Sequence, residues 1–191
     1  MLRGAVLVLA VATAVTACSS SPEPEPPAPP PPAAPDTAGQ GQARLDEMRE
    51  DSIRRAREAE AATAEETARA RAILEEMVFF DYDESAIRAD AQETLSQKIT
   101  VLRSNPNVVL RITGHADERG SIEYNLALGL RRANSVRDYL VGFGLDASRF
   151  TTETMGEDQP LDPGTTEAAY ARNRRSEFAI TSGGEQLTTG R

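Results

Sequence analysis

Residues 108–144 read VVLRITGHADERGSIEYNLALGLRRANSVRDYLVGFG and decide the fold. The first six, Val108–Thr113, are rich in β-branched residues and predict a strand that runs into a Gly-His-Ala-Asp segment. Ile122–Phe143 then carries large apolar residues on one side of a helix, which Gly142 and Gly144 end. A strand followed by an amphipathic helix is typical of a sheet with helices packed against it.

The flanking sequence continues this alternation of strands and helices. The further elements that we predict are a strand over Val78–Phe80, a helix over Ala89–Ser104, a strand over Phe150–Met155, a short helix over Glu167–Asn173 and a strand over Ser176–Thr181. The fold class is therefore α/β (an α+β sandwich) over residues 78–182, a mixed sheet of about four strands with helices packed on one side. Residues 183–191 are expected to form a flexible tail.

The first 77 residues divide into three segments of different composition. Residues 1–17 have a basic start and a short apolar run, as in a secretory signal peptide. Residues 18–42 begin at the only cysteine, Cys18, and contain nine of the 12 prolines, which predicts an extended tether. Residues 43–77 contain neither Gly nor Pro and predict a long, charged, Ala-rich helix.

Composition excludes several classes of function. The formal net charge of −9 over 191 residues argues against a nucleic-acid partner, which would require a basic surface. With one cysteine there is no internal disulfide, and with one histidine there is no metal centre built on His and Cys. We therefore expect neither a metal site nor a cofactor.

Arg132 is the anomaly of the predicted helix, because it falls on the core-facing side. A buried guanidinium needs a partner, and the sequence suggests a carboxylate, with Asp117 close enough to reach it. Two interpretations stay open at this point. One is an internal Asp117–Arg132 salt bridge that holds the domain together. The other is a cleft in which Arg132 binds a ligand carboxylate and Asp117 binds a ligand ammonium group.

Five short motifs stand in order along the predicted domain. They are Phe80-Asp81-Tyr82-Asp83, Gly114-His115-Ala116-Asp117-Glu118-Arg119-Gly120, Asn125-Leu126-Ala127-Leu128-Gly129, Arg131-Arg132-Ala133-Asn134 and Asn173-Arg174-Arg175. Together they resemble the OmpA-like peptidoglycan-binding domain, and the Asp-Glu-Arg-Gly sequence at 117–120 favours the peptidoglycan-associated lipoproteins within that family.

The resemblance implies a ligand and a site. The ligand would be diaminopimelate of the peptidoglycan stem peptide, bound non-covalently, with its ammonium group on Asp117 and its carboxylate on Arg132. Asp83 and Arg174 would complete the pocket. Asn125 and Leu128 would shape its wall, with Asn125 bonded to nearby backbone.

The segment that ends at Cys18 resembles the lipobox of bacterial lipoproteins, which implies an acylated cysteine, with palmitate among its acyl chains. The family resemblance then implies a protein that is not an enzyme, anchored by lipid in the cell outer membrane and facing the periplasm. Its partners would be peptidoglycan and TolB of the Tol-Pal system, which acts in envelope integrity and cell division. The alternative is a lipoprotein of the same family that anchors the wall without a Tol role.

Two further classes remain as alternatives. A peptidoglycan hydrolase could use Asp81, Asp83, Asp117 and Glu118 as paired carboxylates, but no catalytic motif accompanies them. A coiled-coil assembly protein could use residues 43–77, but their apolar stripe is thin, which favours a solvated helical spacer. Glu118 and Arg119 stay open between solvated loop charges and contacts with a ligand or partner.

Overall fold

The computed structural model describes residues 37–190, so the predicted signal peptide, Cys18 and most of the predicted tether lie outside the described range. Its elements are α1 Thr37–Glu75, β1 Val78–Phe79, α2 Ala89–Ser104, β2 Val109–His115, α3 Ile122–Gly142, a 3₁₀-helical turn Ala147–Arg149, β3 Phe150–Gly156, α4 Glu167–Asn173 and β4 Arg175–Ser182. The predicted alternation of strands and helices is confirmed.

The long helix α1 begins earlier than the sequence indicated. Residues 37–42, which we expected in the tether, are helical, because the last proline before them is Pro35 and nothing after it blocks helical hydrogen bonds. The chain divides into residues 1–44 and residues 45–191. In the first unit the described residues are the opening turns of α1, and residues 39–44 are exposed. Within residues 37–190, every helix is too short or too polar to cross a membrane.

The sheet of the second unit has the strand order β1-β4-β2-β3. β2 and β3 are parallel, whereas β4 runs antiparallel to both β1 and β2. Ile112 of β2 lies opposite Phe178 of β4 on one side and Thr152 of β3 on the other. This is the mixed four-stranded sheet that the sequence predicted, with its one antiparallel strand, β4, in the interior.

The hydrophobic core lies on one face of this sheet. Leu110 and Ile112 alternate with the exposed Arg111 along β2, and both are fully buried. The buried faces of α2 and α3 belong to the same core cluster, so the helices pack on one side, as predicted. Gly114 of β2 makes this approach possible, because a Cβ atom there would lie only 1.8 Å from the carbonyl oxygen of Gly129 in α3.

The prediction of a flexible tail is wrong for residues 183–190, which we call the C-terminal strap. Leu187 is only 2% exposed and belongs to the core cluster. The strap backbone is also bonded to side chains, because the N–H of Thr188 donates to Oδ1 of Asn105 at 3.1 Å. Asn105 in turn donates from Nδ2 to the carbonyl of Thr188 at 2.8 Å. One apolar side chain and this reciprocal pair hold a segment that is otherwise polar.

Candidate functional site

A pocket of about 120 Å³ lies at the carboxyl end of β2. The turn after β1, the loop between β2 and α3, and the first turns of α3 form its walls. The residues that line it are Tyr82, Asp83, Asp117, Arg119, Gly120, Tyr124, Asn125, Leu128 and Arg132. Five of the six predicted site residues are thus brought together, while Arg174 lies outside the lining.

Arg132 is completely buried, but it does not pair with a carboxylate. Its Nε donates to the carbonyl of Glu84 at 2.9 Å, Nη1 to the carbonyl of His115 at 2.8 Å, and Nη2 to the carbonyl of Asp81 at 3.1 Å. Of the two interpretations left open by the sequence, the internal Asp117–Arg132 salt bridge is therefore wrong. The partner of the buried guanidinium is backbone from three segments that meet at the pocket.

The charge of Arg132 is costly to bury. Burial lowers the pKa of Arg132 to about 10, with nearby Asp117 acting in the opposite direction. The guanidinium also lies 5.3 Å from the ring centroid of Phe80, an additional attraction for a cation. A guanidinium has five N–H donors, so two are left without an acceptor within residues 37–190.

Asp117 is held by two other arginines. Its Oδ1 accepts from the backbone N–H of Arg119 and from Nε of Arg119, both at 3.2 Å. Its Oδ2 accepts from Nη2 of Arg119 at 2.7 Å and from Nη1 of Arg174 at 3.2 Å. Burial alone would raise the pKa of Asp117, but these bonds hold it below its usual range. All four acceptor positions of the carboxylate are occupied.

Arg174 supports the pocket from behind Asp117. It is 5% exposed, and its Nε donates to the carbonyl of Phe80 at 3.1 Å. Its Nη1 also pairs with Glu167 at 2.9 Å, and Glu167 pairs with Arg119 at 3.1 Å. The resemblance placed Arg174 in the pocket, whereas the structure makes it a positioning residue for Asp117.

Asp83 stands at the exposed mouth of the pocket. Its backbone has a φ of 57°, the left-handed region that Asp tolerates better than most residues. The hydroxyl of Tyr124 donates to Oδ1 of Asp83. Its Oδ2 has no partner in the described part of the chain, so Asp83 can accept a bond from a ligand without losing one.

Asn125 and Leu128 form the α3 wall, as the resemblance implied. Leu128 is 5% exposed and Asn125 is 1% exposed. Asn125, however, is not bonded to nearby backbone as expected, because its Nδ2 donates to the carboxylate of Glu157. The charged carboxylate of Glu157 is a strong acceptor, so this bond fixes the orientation of the Asn125 amide.

Sequence reasoning left the aromatic contacts of Arg119 unassigned. The guanidinium carbon of Arg119 lies 4.1 Å from the ring centroid of Tyr82 and 4.5 Å from that of Tyr170. Hydrogen bonding to Asp117 raises the pKa of Arg119. Tyr82 lies within the Phe80-Asp81-Tyr82-Asp83 motif, which is a signal in the sequence for a residue at the site. Tyr170 has no such signal, because only the fold brings it to Arg119. Among residues 37–190 there is no cluster of His, Cys, Asp or Glu that could hold a metal ion.

Comparison with known proteins adds to this geometry. The OmpA family model matches residues 79–174, about half of the chain. A peptidoglycan-associated lipoprotein of Agrobacterium fabrum is 43% identical over 107 residues, which cover 56% of this chain and 60% of the relative. One from Haemophilus influenzae is 40% identical over 102 residues, or 53% of this chain and 67% of the relative.

A solved structure of similar fold is the peptidoglycan-associated lipoprotein from Burkholderia pseudomallei. It is 36% identical, with a TM-score of 0.53, and the match covers 55% of this chain and 88% of that chain. The matched part spans less than two thirds of the length of the first of the curated relatives.

Proposed function

Because the chain belongs to the OmpA family, we propose that it binds peptidoglycan non-covalently through the pocket at the end of β2. A lipid on Cys18 would hold the other end of the chain in the outer membrane, so that the protein links this membrane to the wall from the periplasmic side. The proposed ligand is the free end of diaminopimelate in the stem peptide.

The observation that carries this proposal is the state of Arg132. It is a fully buried cation with two unused N–H donors, and no carboxylate of residues 37–190 pairs with it. The nearby carboxylates of Asp117 and Asp83 offset part of the cost of burying this charge, and an anion bonded directly to the guanidinium would offset more. A ligand carboxylate can accept both remaining N–H groups in the bidentate geometry that guanidinium favours.

Diaminopimelate ends in a carbon that bears both an ammonium and a carboxylate. The site has the opposite charges, with Asp83 and Asp117 in the pocket lining beside Arg132. Asp83 accepts the ammonium directly at its open Oδ2. The ammonium reaches Asp117 only if Arg119 first gives up its bonds to that carboxylate. The bound zwitterion would leave the net charge of the site unchanged.

Two walls provide the test, one with diaminopimelate and one with lysine at the same stem-peptide position. Lysine has the ammonium group but lacks the adjacent carboxylate. Purified chain is mixed with each insoluble wall and the pelleted fraction is measured over a range of wall concentrations. We expect binding to the lysine wall to be at least about tenfold weaker, because a charge-assisted pair with Arg132 is lost. Equal binding to both walls would refute recognition of the carboxylate.

A matched pair of variants tests the ammonium side. Asp83→Asn keeps an oxygen for the Tyr124 hydroxyl and tolerates the positive φ, but it removes the charge. We expect wall binding to weaken by about tenfold with the fold unchanged. Asp138→Asn, on the exposed side of α3, is the control and should bind as the wild type does.

The Tol role is a finer proposal that rests on the resemblance. We propose that TolB binds the same domain and that the protein acts in the Tol-Pal system during envelope constriction in cell division. Recovery of TolB with the lipidated chain after cross-linking in cells would support this. If the chain pellets with wall but TolB is never recovered, the alternative of a wall anchor without a Tol role is correct.

A hydrolase fits the pocket poorly. Hydrolysis by paired carboxylates requires one that stays protonated near neutral pH. The pKa of Asp117 is instead held below its usual range by Arg119 and Arg174. Glu118 accepts the hydroxyl of Tyr170 at 2.9 Å rather than facing Asp117 across a cleft. We therefore propose binding without catalysis, and release of soluble wall fragments by the purified chain would contradict it.

A further inference from the structure

The direct route along the chain from α1 to the pocket is short, although Val78 and Phe80 on it are buried in the core. α1 ends at Glu75 and β1 begins at Val78. β1 has only two residues, lies at the edge of the sheet and pairs with β4 alone. The carbonyl groups of Asp81 and Glu84, which hold Arg132, follow β1 at once. A pull on α1 that detached β1 would therefore draw these carbonyl groups away from Arg132.

A second connection joins α1 to the sheet through the C-terminal strap. Leu187 of the strap is buried in the same core cluster as Leu74 of α1. The hydroxyl of Thr67 donates to the carbonyl of Leu187 at 3.4 Å and accepts its N–H at 3.2 Å. Nη2 of Arg71 donates to the carbonyl of Gly184 at 2.7 Å. These contacts are distributed over the last three turns of α1, before the chain enters β1.

The end of α1 is also held by α2. Nζ of Lys98 donates to the carbonyl of Ile73 at 2.7 Å and to that of Leu74 at 2.9 Å. The final carbonyl groups of a helix have no partners within the helix, and a cation is their preferred partner. The ammonium group also lies 4.0 Å from the ring centroid of Phe178 in β4. Lys98 thus joins the helix terminus to the interior of the domain.

The strap directs a load to a strong part of the sheet. It continues from β4, an interior strand that pairs with β2 from Ser176 to Ser182. Gly183 lies against the backbone of Asn107, just before β2 begins. The pocket is at the other end of β2, about 20 Å away for a strand of this length. Tension that passes through the strap therefore enters the domain far from Arg132.

We propose that the strap, the last turns of α1 and Lys98 form a load-bearing clasp, which keeps tension on α1 from detaching β1 and disrupting the pocket. The inference rests on the proposed function, because tension arises only if a membrane holds one end of the chain and the wall holds the other. The clasp itself is a property of the fold and can be measured without any wall.

Constant-force pulling tests the clasp. The chain from Cys18 onward is held by the Cys18 thiol and by a second thiol introduced as Ala127→Cys, an exposed position of α3 beside the pocket. The time before the domain extends is measured for the wild-type strap and for Thr67→Val and Leu187→Ala. Gln186→Ala, an exposed strap residue, is the matched control. We expect each clasp variant to shorten this lifetime about tenfold and the control to leave it unchanged.

A second pulling direction separates a clasp from ordinary stability. With Cys18→Ser, the same chain is held between Ala127→Cys and Thr151→Cys, an exposed position of β3, so that no load passes through α1. We expect Thr67→Val to have little effect in this direction. An equal shortening in both directions, or none through α1, would overturn the clasp. If Leu187→Ala does not fold, Thr67→Val alone is compared with the wild type and the control in both directions. Wall pelleting without load reports the proposed function separately, so the two can fail independently.

Discussion

Replacing Arg132 with methionine tests whether the buried guanidinium holds the domain together. The substitution removes three hydrogen bonds from a charged donor to the carbonyl groups of Asp81, Glu84 and His115. Bonds of this kind contribute about 1.5–3 kcal/mol each, so about 4.5–9 kcal/mol of stabilisation is lost. Methionine fills much of the same volume, which keeps the cavity contribution small.

The opposing effect is relief of the buried charge. Burial lowers the pKa of Arg132 from its ordinary value to about 10, so at pH 7 the folded state carries a penalty on the protonated form. At about 1.4 kcal/mol for each tenfold change in the ionisation constant, that penalty is about 3 kcal/mol. The net expectation is a destabilisation of about 1.5–6 kcal/mol, and its upper end reaches the whole stability of a marginal domain.

Urea unfolding followed by circular dichroism measures this difference. Arg131→Met is the matched control, because Arg131 is the exposed neighbour on the same helix and, among residues 37–190, interacts with the ring of Tyr124 at 5.5 Å rather than with a carboxylate. We expect the control to stay within about 0.5 kcal/mol of the wild type. An Arg132→Met chain as stable as the wild type, or more stable, would show that the carbonyl bonds contribute no more than the burial costs, and the reasoning would be wrong.

Three further outcomes follow from other contacts. Gly114→Ala should lower the melting temperature strongly or prevent folding, since its Cβ would meet the carbonyl oxygen of Gly129. Gly142→Ala is the control and should be neutral or slightly stabilising, because its Cβ would have no atom within 4 Å. Burial lowers the pKa of Lys98 to about 7, below its value in the unfolded chain. Between pH 7 and 10 the free energy of unfolding of the wild type should therefore rise relative to that of Lys98→Met, by up to about 1.4 kcal/mol per pH unit. Denaturation at several pH values measures this difference, and a difference that does not change with pH would contradict the prediction. Asp117→Asn should weaken wall binding and loosen the loop before α3, seen as faster amide exchange at Arg119; unchanged exchange would argue against the ion-pair cluster.

The fold was predictable where the spacing of apolar residues and the residues that end a helix indicate the same element. The apolar spacing of Ala89–Ser104 and the Asn-Pro-Asn sequence after it predicted α2 with its observed bounds. The strap was missed, because a single apolar residue, Leu187, has no periodicity. It is buried in the core cluster that also contains Leu74, and only the assembled domain provides that cluster.

The residues of the site were predictable from the sequence, but the hydrogen bonds and ion pairs between them were not. Helical periodicity correctly placed Arg132 on the buried side of α3. Its acceptors could not be inferred, because they are backbone carbonyl groups, one of them 51 residues away at Asp81, and backbone leaves no residue-type signal in a sequence. The sequence therefore suggested Asp117, a carboxylate five residues before the predicted helix, which the fold instead assigns to Arg119 and Arg174.

These contacts separate what folding contributes to the pocket from what a ligand would contribute. Folding, and not the ligand, brings Arg132 out of water and orients it, because three carbonyl groups fix the guanidinium while burial disfavours its charge. A ligand carboxylate that meets the two remaining N–H groups finds a cation already desolvated and held in place, so little ordering is left for the binding step. The ammonium side combines two situations, because Asp83 has an open Oδ2, whereas Asp117 is fully bonded and would have to exchange Arg119 for the ligand. Arg132 and Asp83 should therefore provide most of the affinity, while Asp117 contributes selectivity against ligands that cannot displace Arg119.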